Sequence, residues 1–127
     1  TFDLLNKTVN LKSFANVLGQ DMIDLTNRFQ IGFNKTIADD INMRIVETTA
    51  CNIPLVTNDT PGLKDMYMLD HDIIVYNTIK EMVGVCQWLK SDPTARKQIA
   101  LNGNKRTLEN HTYFHRCKHI YDELILI

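Results

Sequence analysis

Asn42, Arg44 and Glu47 stand at spacings of two and three within DINMRIVETTACNIPLVTN, residues 40–58. These are residue types that can hold an anion and a diol. An arginine in the first turn of a helix adds a charge-assisted contact to an anion that the free N–H groups of the helix already attract. A glutamate one turn further on can accept hydrogen bonds from a ribose diol, as acidic residues do in nucleotide sites. The same residues also fit a solvated face, on which Arg44 and Glu47 form an i,i+3 pair contributing about 0.2–0.5 kcal/mol. The elements around them decide which description applies.

A second stretch, Asn58-Asp59-Thr60-Pro61-Gly62, is polar and ends in a glycine that would allow a ligand close to the backbone. Its plain alternative is a strand-to-helix turn. The histidines His111, His115 and His119 are spaced by four with Cys117 among them. Thr112 caps a helix that leaves His111 outside, no HExxH pattern exists, and two remaining histidines do not make a zinc site. No metal is expected.

Positions 13–27, with Phe14, Val17, Leu18, Ile23 and Leu25, follow a helical period that Gly19 weakens by about 1 kcal/mol. Residues 28–33 alternate as a short strand, and Asn34 to Asp40 form a loop. Asp39 or Asp40 caps a helix from Ile41 to about Cys51, and Asn52 supplies a left-handed stop. Residues 53–57, IPLVT, form an apolar run typical of a central parallel strand. Thr60 with Pro61 predicts a short helix over Gly62 to Met68, and residues 72–76 a third strand. Thr78 and Glu81 make a capping box for a helix to Leu89, whose buried stripe is Met82, Val85, Cys86 and Leu89. A further helix runs from Thr94 to about Glu109, interrupted near Asn102-Gly103, and a last one from Thr112 to Leu126.

The alternation predicts an α/β fold with a parallel sheet covered on both faces. Ligands then bind beyond the carboxyl ends of the strands, at Asn34–Asn42 and Asn58–Gly62. Three strands are few for such a sheet, and the chain begins at Thr1 rather than methionine, so a further half of the domain is expected upstream.

The totals narrow the class. The chain has 127 residues, 44% hydrophobic and 23% charged, with a net charge of −1. That describes one globular domain with no general attraction to nucleic acid. No apolar run reaches the ~18 residues of a membrane span. Cys51, Cys86 and Cys117 are odd in number and widely spaced, which predicts free thiols in a reducing cytoplasm.

The run INMRIVETTACNIPLVTN, followed by LENHTYFHR, resembles the donor domain of CgeB/YkvP-type glycosyltransferase-like proteins, relatives of the retaining GT-B glycosyltransferases. Asn42, Arg44, Glu47, Ala50, Cys51, Pro54, Leu55 and Thr57 match the family pattern, approximately N-x-R-x-(F)-E-x-x-A-C-G-x-P-L-x-T. Asn34, the strand Ile73–Tyr76, Ile99-Ala100 with Asn102-Gly103, and His111-Thr112-Tyr113 with His115-Arg116 extend the match. Two positions depart from it: Val46 stands where an aromatic is usual, and Asn52 where glycine follows the cysteine.

The resemblance implies a three-layer Rossmann-like parallel sheet, the C-terminal half of a GT-B nucleotide-sugar-binding domain, ending in packed C-terminal helices. It implies that Glu47 binds the donor ribose, with Asp39 eight positions earlier as a second acidic group. Asn34, Asn42, Arg44, Asn58, Thr60 and Gly62 complete the implied donor site, and Arg44 and Glu47 are the residues that carry its chemistry. The implied ligand is a nucleotide sugar serving as substrate, with no bound metal or cofactor, and the implied partner is an N-terminal acceptor-binding domain. A non-catalytic α/β binding or interaction module on the same fold is the alternative. A signalling receiver domain fits less well, because the first strand ends in Asn34 where an acidic pair would be wanted.

Overall fold

The computed structural model describes residues 3, 6, 7 and 9–125. Helix α1 (Gly19–Thr26) leads to strand β1 (Gly32–Asn34), helix α2 (Met43–Ala50) and strand β2 (Leu55–Asn58). Helix α3 (Leu63–Met66), strand β3 (Ile74–Tyr76) and helices α4 (Ile79–Ser91), α5 (Pro93–Asn110) and α6 (Tyr113–Ile125) follow among the described residues. The order of helices and strands is the one the sequence predicts. The strands form a parallel sheet in the order β1-β2-β3, with Asn34 beside Thr57 and Asn58 beside Tyr76.

Alternation along the strands builds two cores, one on each face of the sheet. Leu55 and Ile73 pack with Ile45 of α2, Leu63 of α3 and Tyr67. Val56, Ile74 and Tyr76 point the other way, onto Met82, Cys86 and Leu89 of α4 and Ile99 of α5. Val85 is only half-buried beside this stripe. Helix α2 lies so close to β1 that a Cβ at Gly32 would run into the Thr48 methyl.

Several boundaries differ from the sequence expectation, each for a local reason. Gly19 has φ 61° and Leu18 is extended, so α1 starts at Gly19 and Phe14, Val17 and Leu18 lie outside it. The N–H groups of Arg28 and Phe29 bond back to Leu25 and Thr26, which continues a turn and delays β1 to Gly32. Asp39 has φ 48°, and the cap of α2 is Asn42 rather than either aspartate. The left-handed stop at Asn52 is present, with φ 60°. Gly62, at φ 85°, is the cap of α3, so Thr60 and Pro61 precede the helix and the Thr60 carbonyl accepts the Leu63 N–H.

The capping box on α4 is formed: Thr78 Oγ1 accepts the Glu81 N–H, and Glu81 reaches back to the Asn77 N–H at 2.8 Å. Helix α5 is not interrupted at Asn102-Gly103. A Cβ at Gly103 would stand 2.5 Å from the Asp72 carbonyl oxygen, so this glycine permits a close approach instead of a break. Through that contact α5 spans both cores, from Ile99 on the α4 side to Thr107 on the α2 side. There Tyr67 Oη lies 2.8 Å from Thr107 Oγ1, which lies 2.6 Å from Thr49 Oγ1, and Thr49 donates to the Ile45 carbonyl at 2.9 Å. The relay locks α2, α3 and α5 together.

The α5–α6 junction is tied down by His111, whose Nε2 lies 2.8 Å from the Met66 carbonyl and whose ring packs on Tyr67 at 5.1 Å. Thr112 Oγ1 accepts the His115 N–H, capping α6 as its sequence suggests. Beyond that first turn α6 buries no residue, and Leu126 lies outside the described residues.

Candidate functional site

The carboxyl ends of β1 and β2 bring Asn34 and Asn58 to one edge of the sheet, between the loops that enter α2 and α3. Asn34 is 4% exposed. Its Nδ2 donates to Thr57 Oγ1 at 3.2 Å, its Oδ1 accepts from Asn42 Nδ2 at 3.2 Å, and its carbonyl accepts from Tyr76 Oη at 3.4 Å. Asn58 clasps the other loop: its Oδ1 accepts the Thr36 N–H at 2.7 Å and its Nδ2 donates to Thr36 Oγ1 at 2.8 Å. Thr36 and Thr60 hydroxyls meet at 3.0 Å, and the Asp59 carboxylate accepts the Thr60 N–H at 2.8 Å. Two loops separated by 22–24 residues are thus joined by side-chain groups and the Thr36 backbone N–H.

The structure brings together Asn34, Asn42, Asn58, Thr60 and Gly62. Ile41, which enters α2, touches the space over Gly62 at 3.5 Å. Arg44 is exposed in the first turn of α2 and Glu47 half-buried one turn on. Among the described residues they form no ion pair, with each other or with anything else. The i,i+3 pair that a purely solvated face would offer is therefore absent. Asp39 stays on the exposed loop and makes no hydrogen bond among the described residues.

Asn42 is the unusual member. Its backbone, φ −91° and ψ 163°, suits an N-cap, yet its side chain makes no capping bond and its Oδ1 is buried without a partner. An unsatisfied buried acceptor costs about 1–3 kcal/mol. The first N–H groups of α2, at Met43 and Arg44, have no intrahelical acceptor and gain none from the cap. A groove of about 290 Å³ lies over the β2–α3 loop, lined by Asp59, Thr60, Pro61, Gly62 and Lys64, and Ile41 on the way into α2 comes within 3.5 Å of a Cβ built at Gly62. Free N–H groups, Arg44 and Lys64 make this edge receptive to an anion. No group of three metal-ligating side chains occurs among the described residues.

Glu47 also acts on Cys51, one turn further along α2. Burial first, and then the Glu47 charge, push the Cys51 thiol up from its ordinary range. Burial likewise raises the Tyr76 phenol to about 12, with Cys86 adding to it, so Tyr76 remains a neutral donor to Asn34.

Thr36, Thr57 and Tyr76 were not identified as site residues from sequence. Thr36 lies in an irregular loop without period, and only the parallel register reveals that Thr57 and Tyr76 flank Asn34. Tyr113 is a further case. The α5–α6 junction places its Oη 3.9 Å from Met43 Sδ at the amino end of α2, a contact between residues 70 apart that no local pattern could indicate.

Comparison with curated proteins gives no match, and comparison with solved structures gives none either. The family model described as Glycosyl transferase-like matches residues 5–122. That span covers both cores, all three strands and every residue of the edge described above, and the chain belongs to the glycosyl transferase-like family.

Proposed function

We propose that this chain is the donor-binding portion of a retaining-type GT-B glycosyltransferase of the CgeB/YkvP kind. The observation that carries the reading is the uncapped amino end of α2, with Arg44 in its first turn and Glu47 one turn on, neither held in an ion pair among the described residues. The diphosphate of a nucleotide sugar meets the free N–H groups and Arg44, and Glu47 accepts from the ribose diol. Thr60 and Gly62 line the groove, Asn34 and Asn58 brace the loops behind it, and Asp39 is the second acidic group of the proposed donor site. Arg44 and the helix end then stabilise the negative charge that develops on the leaving diphosphate, an electrostatic contribution that needs no metal. The acceptor lies in a cleft shared with an N-terminal domain, so these 127 residues alone bind weakly and transfer nothing.

The three cysteines are free, consistent with a reducing cytoplasm, and no described helix is long and apolar enough to cross a membrane. One observation favours the second reading, a non-catalytic binding module: Thr36, Asn58 and Thr60 spend their polar groups on one another.

A thermal-shift panel of UDP, GDP, CMP and their sugars separates the two, because a ligand of the native state raises the melting temperature. One of them should shift the wild-type protein, and Glu47→Ala should abolish that shift without unfolding the chain. Glu47→Ala that keeps full nucleotide affinity would remove Glu47 from the site. No shift at millimolar ligand in the parent protein would remove the enzymatic reading.

A further inference from the structure

Asparagine is among the residues that cap helices best, and Asn42 sits at the N-cap of α2 with the right backbone, yet does not cap. Its Nδ2 is drawn to Asn34 Oδ1, and its own Oδ1, the atom that would accept the Arg44 or Ile45 N–H, is buried without a partner. Asn34, 4% exposed, is itself held: its Nδ2 donates to Thr57 Oγ1, and its backbone carbonyl accepts from Tyr76 Oη. A good cap is thereby kept from its own helix by the strand before it.

We infer that Asn34 is a positioning residue: it holds the Asn42 side chain off the amino end of α2 so that the first N–H groups stay open to an anionic ligand. This deepens the donor-site reading and rests on it for the identity of the ligand, the diphosphate of a nucleotide sugar. Capping and ligand binding compete for the same N–H groups, and the hydrogen bond between the two asparagines settles the competition in favour of the ligand.

The test uses two substitutions at half-buried Asn42. Serine is too short to reach Asn34 but caps well, whereas alanine neither reaches nor caps. In the ligand-free chain, amide exchange at Arg44 should be slower in Asn42→Ser than in Asn42→Ala or wild type. Titration with inorganic pyrophosphate should then find Asn42→Ser weaker than Asn42→Ala by about tenfold. A purely structural role for Asn42 gives the reverse order, since serine restores the helix end. Asn34→Ala, which frees Asn42 intact, should slow Arg44 exchange as Asn42→Ser does, and the Asn42 pair decides the matter if Asn34→Ala does not fold. Unchanged Arg44 exchange in Asn42→Ser, or equal pyrophosphate affinity in the two Asn42 variants, overturns the inference. Slowed exchange in a protein whose wild type binds no pyrophosphate upholds the positioning role and overturns the donor-site reading instead.

Discussion

Substituting Gly103 by alanine tests how closely α5 is seated. Helix propensity alone predicts a gain, since glycine in a helix interior costs about 0.5–1 kcal/mol relative to alanine. The surroundings predict a loss. The new Cβ would lie 2.5 Å from the Asp72 carbonyl oxygen and 3.3 Å from Thr49 Cγ2. The nearer atom is backbone at the entrance to β3 and cannot swing aside, so α5 has to move outward. Overpacking of this kind costs about 1–3 kcal/mol, and with the propensity gain subtracted the net loss is about 0–2.5 kcal/mol, with a midpoint of about 1 kcal/mol. For a domain of this size that midpoint lowers the melting temperature by roughly 3–5 °C. Gly84, in α4, is the control: nothing lies within 4 Å of its added Cβ, so Gly84→Ala should raise stability by about 0.5–1 kcal/mol. Urea unfolding followed by Trp88 fluorescence measures both variants. A Gly103→Ala protein more stable than wild type would falsify the close approach of α5 to Asp72.

Thr107→Val removes the middle of the Tyr67–Thr107–Thr49 relay and leaves Tyr67 Oη with a 3.3 Å contact to Thr49; the urea midpoint should fall by the equivalent of about 1–3 kcal/mol. Burial, and next to it the positive charges of Arg116 and Arg106 with His115, hold His111 below its ordinary value near 6.5, against the opposing pull of the Met66 carbonyl. The unfolded chain therefore binds the proton more readily than the folded one. Stability is full above about pH 6.5 and falls as the pH drops from there toward the folded value, and His111→Gln should flatten that part of a melting-temperature profile. Thiol alkylation followed by mass mapping should modify exposed Cys117 before Cys51 and buried Cys86 last, since burial raises both of the latter thiols.

Element order and the buried stripe of α4 are legible in the sequence because each is set by short-range periodicity. The T-x-x-E box and Asn52 are legible for the same reason: their chemistry acts within four residues. The misplaced features depend on distant partners. Gly103 reads as a break until Asp72 is known to lie against it, and Asp39 reads as a cap until its left-handed backbone removes it from the helix end. In the site, Asn34, Asn42 and Asn58 can be picked out by position relative to strand ends. Their bonds cannot, because Thr36 joins Asn58 across 22 residues and the register alone brings Thr57 beside Asn34.

Helix α6 has a consequence for how unfolding of this protein is read. Its 13 residues bury none of their side chains, while Phe114, Ile120, Tyr121, Leu124 and Ile125 face outward. A helix of that length held only at its first turn is marginal in water, so the rest of α6 melts on its own schedule, ahead of the two cores. Far-ultraviolet circular dichroism counts α6 and Trp88 fluorescence on α4 does not. The two signals will trace different curves, a gradual slope preceding a sharp step. An enthalpy fitted to the dichroism alone would be too small for the domain, and the core transition has to be read from the tryptophan.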